Sequence, residues 1–109
     1  MRAAAAGLFL AAAWLAPASA QDVLAGRGLA NRQCAACHGP QGLATMPEAA
    51  NLAGQDATYV TRQLEAFRGG TRVNELMTVV SQSLTDEQIA NLAAFYAAIQ
   101  VEVVKVPGS

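Results

Sequence analysis

The residues with the most specific chemistry in this chain are two cysteines and one histidine within five positions, Cys34-Ala35-Ala36-Cys37-His38. The spacing C-x-x-C-H is the attachment pattern of a c-type haem. In that chemistry the two thiols add to the vinyl groups of the porphyrin, and the imidazole binds the iron. Because the chain has two cysteines and one histidine in all, no other thiol or imidazole is left for a second site. The motif predicts one haem c, covalent through Cys34 and Cys37, with His38 as an iron ligand.

Three other chemistries use a pair of cysteines. A thioredoxin-like redox pair requires a βαβ pattern, and the sequence shows none. A structural zinc site requires four ligands, whereas two thiols and one imidazole are present. A structural disulfide in an exported protein is not forbidden by the sequence and stays open at this point. A histidine placed directly after the second cysteine favours the haem site.

The first twenty residues have the layout of a secretory signal peptide. Met1-Arg2 is a short positive region, residues 3–15 are apolar, and Ala18-Ser19-Ala20 is a small-residue cleavage site. The apolar run is shorter than the roughly 20 residues of a membrane-spanning helix, which argues against the alternative, an uncleaved anchor. We therefore expect a signal peptide at 1–20, cleavage after Ala20, and one domain at 21–109. The expected location is the periplasm, because haem is attached to such motifs outside the cytoplasm.

Charge and size restrict the classes of function. Removal of residues 1–20 takes away one arginine and leaves six basic and eight acidic side chains, a formal net charge of −2. This balance provides no basic surface for nucleic acid. A domain of this size also has a small apolar core, so we expect a buried cofactor to contribute to its stability.

Capping signals and apolar periodicity predict three helices in the domain. Each begins after an aspartate or threonine N-cap, and the third begins with a capping box. The predicted helices are 23–32 after Asp22, 57–68 after Asp56, and 86–100 after Thr85. The other segments lack a clean period. They are an irregular loop at 43–55, a short helix or turn at 72–81, and an extended tail at 101–106.

A second iron ligand in this chain is expected to be a methionine, because there is no second histidine. Met1 belongs to the leader, which leaves Met46 and Met77. A ligand on the opposite haem face must come from chain that has passed round the porphyrin edge. Met77 follows the middle helix and has that freedom, whereas Met46 lies close after the motif and is expected to line the pocket or to lie on the surface. Methionine ligation raises the potential, and ordinary core packing is the other role of such a residue.

Taken together, these motifs resemble those of class I c-type cytochromes, in particular the small bacterial single-haem carriers. The resemblance covers residues 22–99. It rests, in chain order, on Cys34 to Gly39, Asn51 to Gln55, Tyr59, Gln63-Leu64, Phe67 to Gly70, Arg72, Met77, Leu84 to Ile89 and Leu92 to Tyr96. The resemblance implies an all-α fold of three to five helices wrapped around one haem, with His38 as proximal and Met77 as distal ligand. It also implies that the first and last helices cross, with Gly26 against Phe95 or Tyr96.

One position departs from the family pattern. A proline commonly precedes position 51 in the family, and its carbonyl accepts a hydrogen bond from the proximal histidine. This chain has Ala50 there. Because every residue has a carbonyl, we expect Ala50 to orient His38 in the same way. Arg72 or Arg62 is a candidate partner for a haem propionate, and a solvated surface position is the alternative for both.

The resemblance implies a soluble periplasmic electron carrier, and not an enzyme. It would exchange one electron with membrane or soluble redox partner proteins through the exposed haem edge. The main alternative is the cytochrome subunit of a periplasmic dehydrogenase or oxidase complex. A second is a haem enzyme or gas sensor with an open distal site. We expect no nucleic-acid partner and no stable membrane insertion after signal cleavage, and the sequence leaves the donor and acceptor open.

Overall fold

The computed structural model describes residues 1–13 and 21–109. Residues 1–13 are exposed and contain neither helix nor strand, and the expected cleavage site at Ala18-Ser19-Ala20 lies outside the described residues. The described chain contains five helices and no strand, which confirms an all-α fold. In chain order they are α1 (Val23–Gln33), α2 (Ala35–His38), α3 (Ala57–Gly69), α4 (Met77–Gln82) and α5 (Asp86–Ala98). Across residues 1–13 and 21–109, no helix is long and apolar enough to cross a lipid bilayer.

The three longer helices begin where the sequence predicts their N-caps. The carboxylates of Asp22 and Asp56 each accept a hydrogen bond of 2.9 Å from the backbone N–H three residues further on. Thr85 forms the expected capping box, in which its hydroxyl accepts from the Gln88 N–H at 3.1 Å and the Gln88 side chain accepts from the Thr85 N–H at 3.0 Å. These bonds satisfy amides that the first turn of a helix cannot pair, so local chemistry fixes these helix starts.

The core lies where α1 crosses α5, which is the most extensive contact between two helices. At Gly26 an added Cβ would lie 2.0 Å from the Asn91 carbonyl oxygen and 3.0 Å from the Phe95 Cβ, so glycine is required at this crossing. The expected contact of Gly26 with Phe95 is confirmed, and the backbone of Asn91 lies closer still. The Asn91 side chain also accepts a hydrogen bond of 2.8 Å from the Asp22 N–H. The buried cluster at this crossing contains Leu29, Ala30, Leu84, Ile89, Leu92, Phe95 and Tyr96.

The shorter elements are less predictable than the long helices. The sequence does not predict α2 as a helix, because four residues are too few to show a helical period. α4 occupies the second half of the segment in which a short helix or turn is expected, and α5 ends at Ala98, two residues earlier than predicted. Residues 43–55 form an irregular loop and residues 101–106 contain neither helix nor strand, which confirms both expectations.

Candidate haem-binding site

The Cys34–His38 motif forms a single helical turn. The N–H groups of Cys37 and His38 both bond to the Cys34 carbonyl, at 3.2 and 2.9 Å. Residues that are three and four positions apart lie on the same face of a helix. The turn therefore brings both sulfur atoms and the imidazole to one face, which is the physical reason for the C-x-x-C-H spacing. Both cysteines are free and half-buried.

Gly39 reverses the chain directly after the motif. Its φ is +78°, and an added Cβ would lie 1.9 Å from the Leu43 carbonyl oxygen, so only glycine fits this turn. Thr45 then ties the returning loop to the motif. Its N–H bonds to the Cys37 carbonyl at 2.9 Å, and its hydroxyl donates to the Ala36 carbonyl at 3.0 Å. The loop that follows the motif is thus anchored to the same helical turn that carries the cysteines.

His38 is oriented by the carbonyl of Ala50. The distance from His38 Nδ1 to the Ala50 oxygen is 2.7 Å. A carbonyl can only accept a hydrogen bond, so Nδ1 carries the proton and Nε2 is the nitrogen left to bind iron. The Asn51 side chain accepts from the Ala44 N–H at 2.7 Å and holds the loop beside Ala50. The expectation that alanine at position 50 serves the family role of proline is confirmed.

Cys34 packs against the core beside Tyr96 of α5. Burial raises the pKa of the Cys34 thiol, an effect that the Tyr96 hydroxyl partly offsets and that Cys37 reinforces. Burial also raises the pKa of Tyr96 well above its usual value, and Cys34 adds to this. Within the described residues the Tyr96 hydroxyl has no hydrogen bond of good geometry, so the neighbouring sulfur is close but not well aligned. The raised pKa disfavours the thiolate form that a cysteine metal ligand requires.

The two candidate methionines lie on segments that are anchored differently. Met46 is 39% exposed and belongs to the loop that Thr45 ties to the cysteine motif. Met77 is half-buried and is the first residue of α4, which packs against α3. Its N–H donates to the Asn74 side chain at 3.0 Å. Because the Met46 loop also carries Ala50, this loop belongs to the His38 side of the site.

The chain that follows the motif carries several exposed apolar side chains. Of the described residues between 43 and 79, six large apolar side chains are from 39% to 80% exposed: Leu43, Met46, Tyr59, Val73, Leu76 and Val79. Two free sulfurs and an imidazole with Nε2 free, all on one helical turn, fit a covalently attached haem.

The alternatives for the cysteine pair lack support in the structure. Residues 1–13 and 21–109 contain no group of three or more His, Cys, Asp or Glu side chains that could hold a metal ion, as a zinc site would require. A thioredoxin-like βαβ unit would need strands, and the described chain has none. Cys34 and Cys37 are not joined in a disulfide.

Arg72 and Arg62 occupy different surroundings on and beside α3. The Arg72 guanidinium lies 4.4 Å from the centroid of the Phe67 ring and donates to the Gln63 side chain at 2.7 Å. Arg62 is an exposed residue of α3. A propionate contact stays a prediction for either arginine.

Arg68 has the most extensive polar contacts near α4, although nothing in the sequence sets it apart from other surface arginines. Its Nη1 donates to the Leu84 carbonyl at 2.9 Å, and its Nη2 donates to the Asp86 carboxylate at 2.6 Å. An arginine in the last turn of a helix is usually a surface residue that complements the helix dipole. No local pattern reveals that its side chain reaches 16 positions along the chain.

Comparison with known proteins assigns the family. Residues 21–95 match the family model described as "Cytochrome C oxidase, cbb3-type, subunit III". The chain is 46% identical over 76 residues to cytochrome c4 of Thiocapsa roseopersicina, which covers 70% of this chain and 39% of that protein. It is 45% identical over 67 residues to cytochrome c-554(548) of Halomonas halodenitrificans, covering 59% of this chain and 81% of the relative. A solved structure of Acidithiobacillus ferrooxidans cytochrome c4 superposes with a TM-score of 0.66 at 30% identity, over 75% of this chain and 53% of that one.

The chain therefore belongs to this family of c-type cytochromes, and its fold is the class I cytochrome c fold. Members of the family carry covalent haem c, and Cys34, Cys37 and His38 fit the attachment motif. The chain spans 39% of the length of the Thiocapsa cytochrome c4 and 53% of the length of the solved one.

Proposed function

We propose that this protein is a one-electron carrier and not an enzyme, with a haem c held by Cys34, Cys37, His38 and Met77. The observation that carries the proposal is that two candidate iron ligands, His38 and Met77, lie on separately anchored segments. His38 belongs to the motif turn and is held by Ala50, whereas Met77 belongs to α4 and packs with α3. Two such segments can place one ligand on each face of a flat cofactor.

Each of these residues has a distinct role in the proposed site. The thioether sulfurs of Cys34 and Cys37 fix the position of the cofactor, and His38 offers Nε2 to the iron. The Ala50 carbonyl holds the imidazole plane and increases the basicity of the ring. Met77 would be the second ligand to the iron and would keep small molecules from binding there. When bound, the haem supplies a one-electron couple at its iron.

Met77 is preferred over Met46 as the distal ligand for a geometric reason. The loop with Met46 is bound to the motif through Thr45 and carries the carbonyl that orients His38. A side chain from that loop approaches the haem from the histidine side or along its edge. Met77 comes from a segment that does not depend on these contacts.

A reduction experiment tests the carrier function. We expect the purified holoprotein to follow a one-electron Nernst curve in spectroelectrochemistry, and we expect the reduced form not to bind carbon monoxide. A high-spin haem that binds carbon monoxide readily would contradict the proposal. It would favour an enzyme or gas sensor with an open distal site.

The proposal includes export to the periplasm and removal of residues 1–20. It is supported by the charged, apolar and small-residue regions of the leader and by the attachment motif, which is loaded outside the cytoplasm. We expect the mass and N-terminal sequence of the exported protein to show Gln21 as its first residue. A haem-loaded protein that retains residues 1–20 would contradict this part of the proposal.

The proposed partners are redox proteins that dock briefly at the haem edge, through a small interface. A second candidate function is a cytochrome subunit in a larger periplasmic dehydrogenase or oxidase complex. The family description, which names an oxidase subunit, favours this candidate. Co-purification with a larger redox enzyme that persists at high salt would support the subunit. Release of the free cytochrome at high salt would support the carrier.

A further inference from the structure

Met77 belongs to the segment 70–83 that follows α3. The C-terminal end of this segment is bonded to one residue of α3. The Arg68 guanidinium donates to the carbonyl of Leu84 at 2.9 Å, where the chain leaves α4 and enters α5. Leu84 itself is buried in the core, and the Arg68 side chain is 29% exposed. This hydrogen bond therefore fixes the end of the segment to a rigid part of the molecule.

The backbone of Arg68 makes a second closing contact. Its carbonyl, at the end of α3, accepts a hydrogen bond of 3.0 Å from the Gln82 side-chain amide. The same Gln82 amide donates to the Thr78 carbonyl at 3.2 Å. The last turn of α4 is thus tied to the last turn of α3, and this contact satisfies a carbonyl that has no partner within α3.

Between these closing contacts the segment is held together by its own bonds. The Asn74 side-chain oxygen accepts from the N–H groups of Leu76 and Met77, each at 3.0 Å. The Asn74 N–H donates to the Thr78 hydroxyl at 2.9 Å. These bonds tie the start of α4 together, and the contacts at Arg68 hold it on α3 from the C-terminal side, whereas the Arg72–Gln63 bond holds it from the other.

We propose that Arg68 is a positioning residue for the distal ligand. By bonding the segment 70–83 to α3, it sets how tightly Met77 is kept at the iron. The inference rests on the proposed ligation by Met77 and adds the residue that controls its strength.

The two side-chain contacts of Arg68 are not equivalent. The Asp86 carboxylate is 87% exposed, so this ion pair is screened by solvent and contributes little. The bond to the Leu84 carbonyl is partly buried and charge-assisted. Arginine can reach both partners at once with its planar fork, and lysine cannot. We therefore expect Met77 to be held less tightly at the iron in each of these variants. The effect should be smallest for Asp86→Asn, larger for Arg68→Lys and largest for Arg68→Met.

Imidazole affinity measures this effect, because free imidazole competes with a methionine for the distal position of an oxidised c-type haem. The oxidised holoprotein is titrated with imidazole while the far-red band of methionine ligation is followed. We expect Arg68→Met to bind imidazole about tenfold more tightly than the wild type, which corresponds to one lost charge-assisted hydrogen bond. Gln82→Met should show a smaller increase. Arg27→Met, which changes an exposed arginine of α1 to which no role at the site is assigned, is the matched control and should not change the affinity.

Unfolding of the same variants in guanidinium chloride separates an effect on the position of Met77 from an effect on the stability of the whole domain. We expect the far-red band of Arg68→Met to disappear at a lower denaturant concentration than its helical circular dichroism, with a wider gap than in the wild type. Equal shifts of the far-red and circular-dichroism transitions in Arg68→Met would overturn the inference. Wild-type imidazole affinity in folded Arg68→Met would also overturn it. If Arg68→Met does not fold, an unchanged imidazole affinity in folded Gln82→Met would overturn it. A wild-type protein without the far-red band would instead refute Met77 ligation, and with it both proposals.

Discussion

His38 Nδ1 lies 2.7 Å from the carbonyl oxygen of Ala50, so the orientation of the imidazole depends on the backbone and not on a side chain. Substitution of the family proline by alanine leaves this hydrogen bond in place. The substitution does change the unfolded state, because alanine allows this part of the unfolded chain more backbone conformations than proline does. The consequence can be measured at two neighbouring positions.

Ala50→Pro is expected to stabilise the protein by about 0.4–1 kcal/mol, because it restricts the unfolded chain without removing a bond. In the described structure the Ala50 N–H makes no hydrogen bond, whereas the Ala49 N–H donates to the Met46 carbonyl at 3.1 Å. Ala49→Pro is therefore the matched control and should destabilise the protein. Guanidinium unfolding of the holoproteins compares the two variants. A destabilised Ala50→Pro variant would contradict the loop geometry.

Gly26→Ala is expected to destabilise the protein by about 2–3 kcal/mol or more, because it forces α1 away from α5. The new Cβ would lie 2.0 Å from the Asn91 carbonyl oxygen. Gly28 lies in the same helix, and a Cβ there would meet only the flexible end of Arg32, at 3.3 Å. Gly28→Ala should be neutral or should stabilise the protein by up to about 1 kcal/mol through helix propensity. Equal effects of the two substitutions in denaturant unfolding would refute the close crossing.

Thr85→Ala is expected to cost about 1 kcal/mol of stability, because it removes the hydroxyl that caps the first turn of α5. That hydroxyl accepts the Gln88 N–H at 3.1 Å. Ser83→Ala is the control, since the Ser83 hydroxyl makes only a long contact of 3.4 Å to the Val80 carbonyl. Thermal unfolding should show a lower midpoint for Thr85→Ala alone. An unchanged midpoint would argue against the capping box.

Tyr96 predicts a pH dependence of stability on the alkaline side. Its pKa in the folded protein lies above the ordinary value of 10.0, mainly because the hydroxyl is buried. The unfolded chain therefore loses this proton first, and the stabilisation that is complete below about pH 10 is lost as the pH rises. We expect the free energy of unfolding to fall by up to about 1.4 kcal/mol per pH unit above that point.

Guanidinium unfolding between about pH 9 and pH 11 measures this slope. Tyr96→Phe should remove the contribution of Tyr96 to this slope. Tyr59→Phe, which changes an exposed ring, should leave that contribution in place. Identical slopes in the wild type and Tyr96→Phe would show that the Tyr96 hydroxyl reaches solvent in the folded protein.

The sequence predicts the parts of this structure that local chemistry determines. The capping side chains of Asp22, Asp56 and Thr85 define helix starts within a few residues, and the attachment motif needs no structure to be recognised. The His38–Ala50 bond was predictable because any residue supplies a carbonyl.

Other features depend on tertiary packing. The closest neighbour of Gly26 is the backbone of Asn91, which depends on the angle between two helices and has no sequence signal. Arg68 looks like a surface arginine until the structure shows its guanidinium at the Leu84 carbonyl. α2 is too short for periodicity to reveal it. The contacts of Gly26 and Arg68, unlike the local bonds of α2, arise only when distant parts of the chain come together.

The absorption spectrum of the exported protein, compared with that of Met77→Ala, tests the central claim most directly. The account predicts covalently bound haem in both proteins, a weak far-red band in the oxidised wild type, and loss of that band in Met77→Ala. Met46→Ala is the matched control and should keep the band. A band that persists in Met77→Ala would contradict the proposed distal ligand. The absence of haem from a protein made in a host competent in cytochrome maturation would contradict the account as a whole.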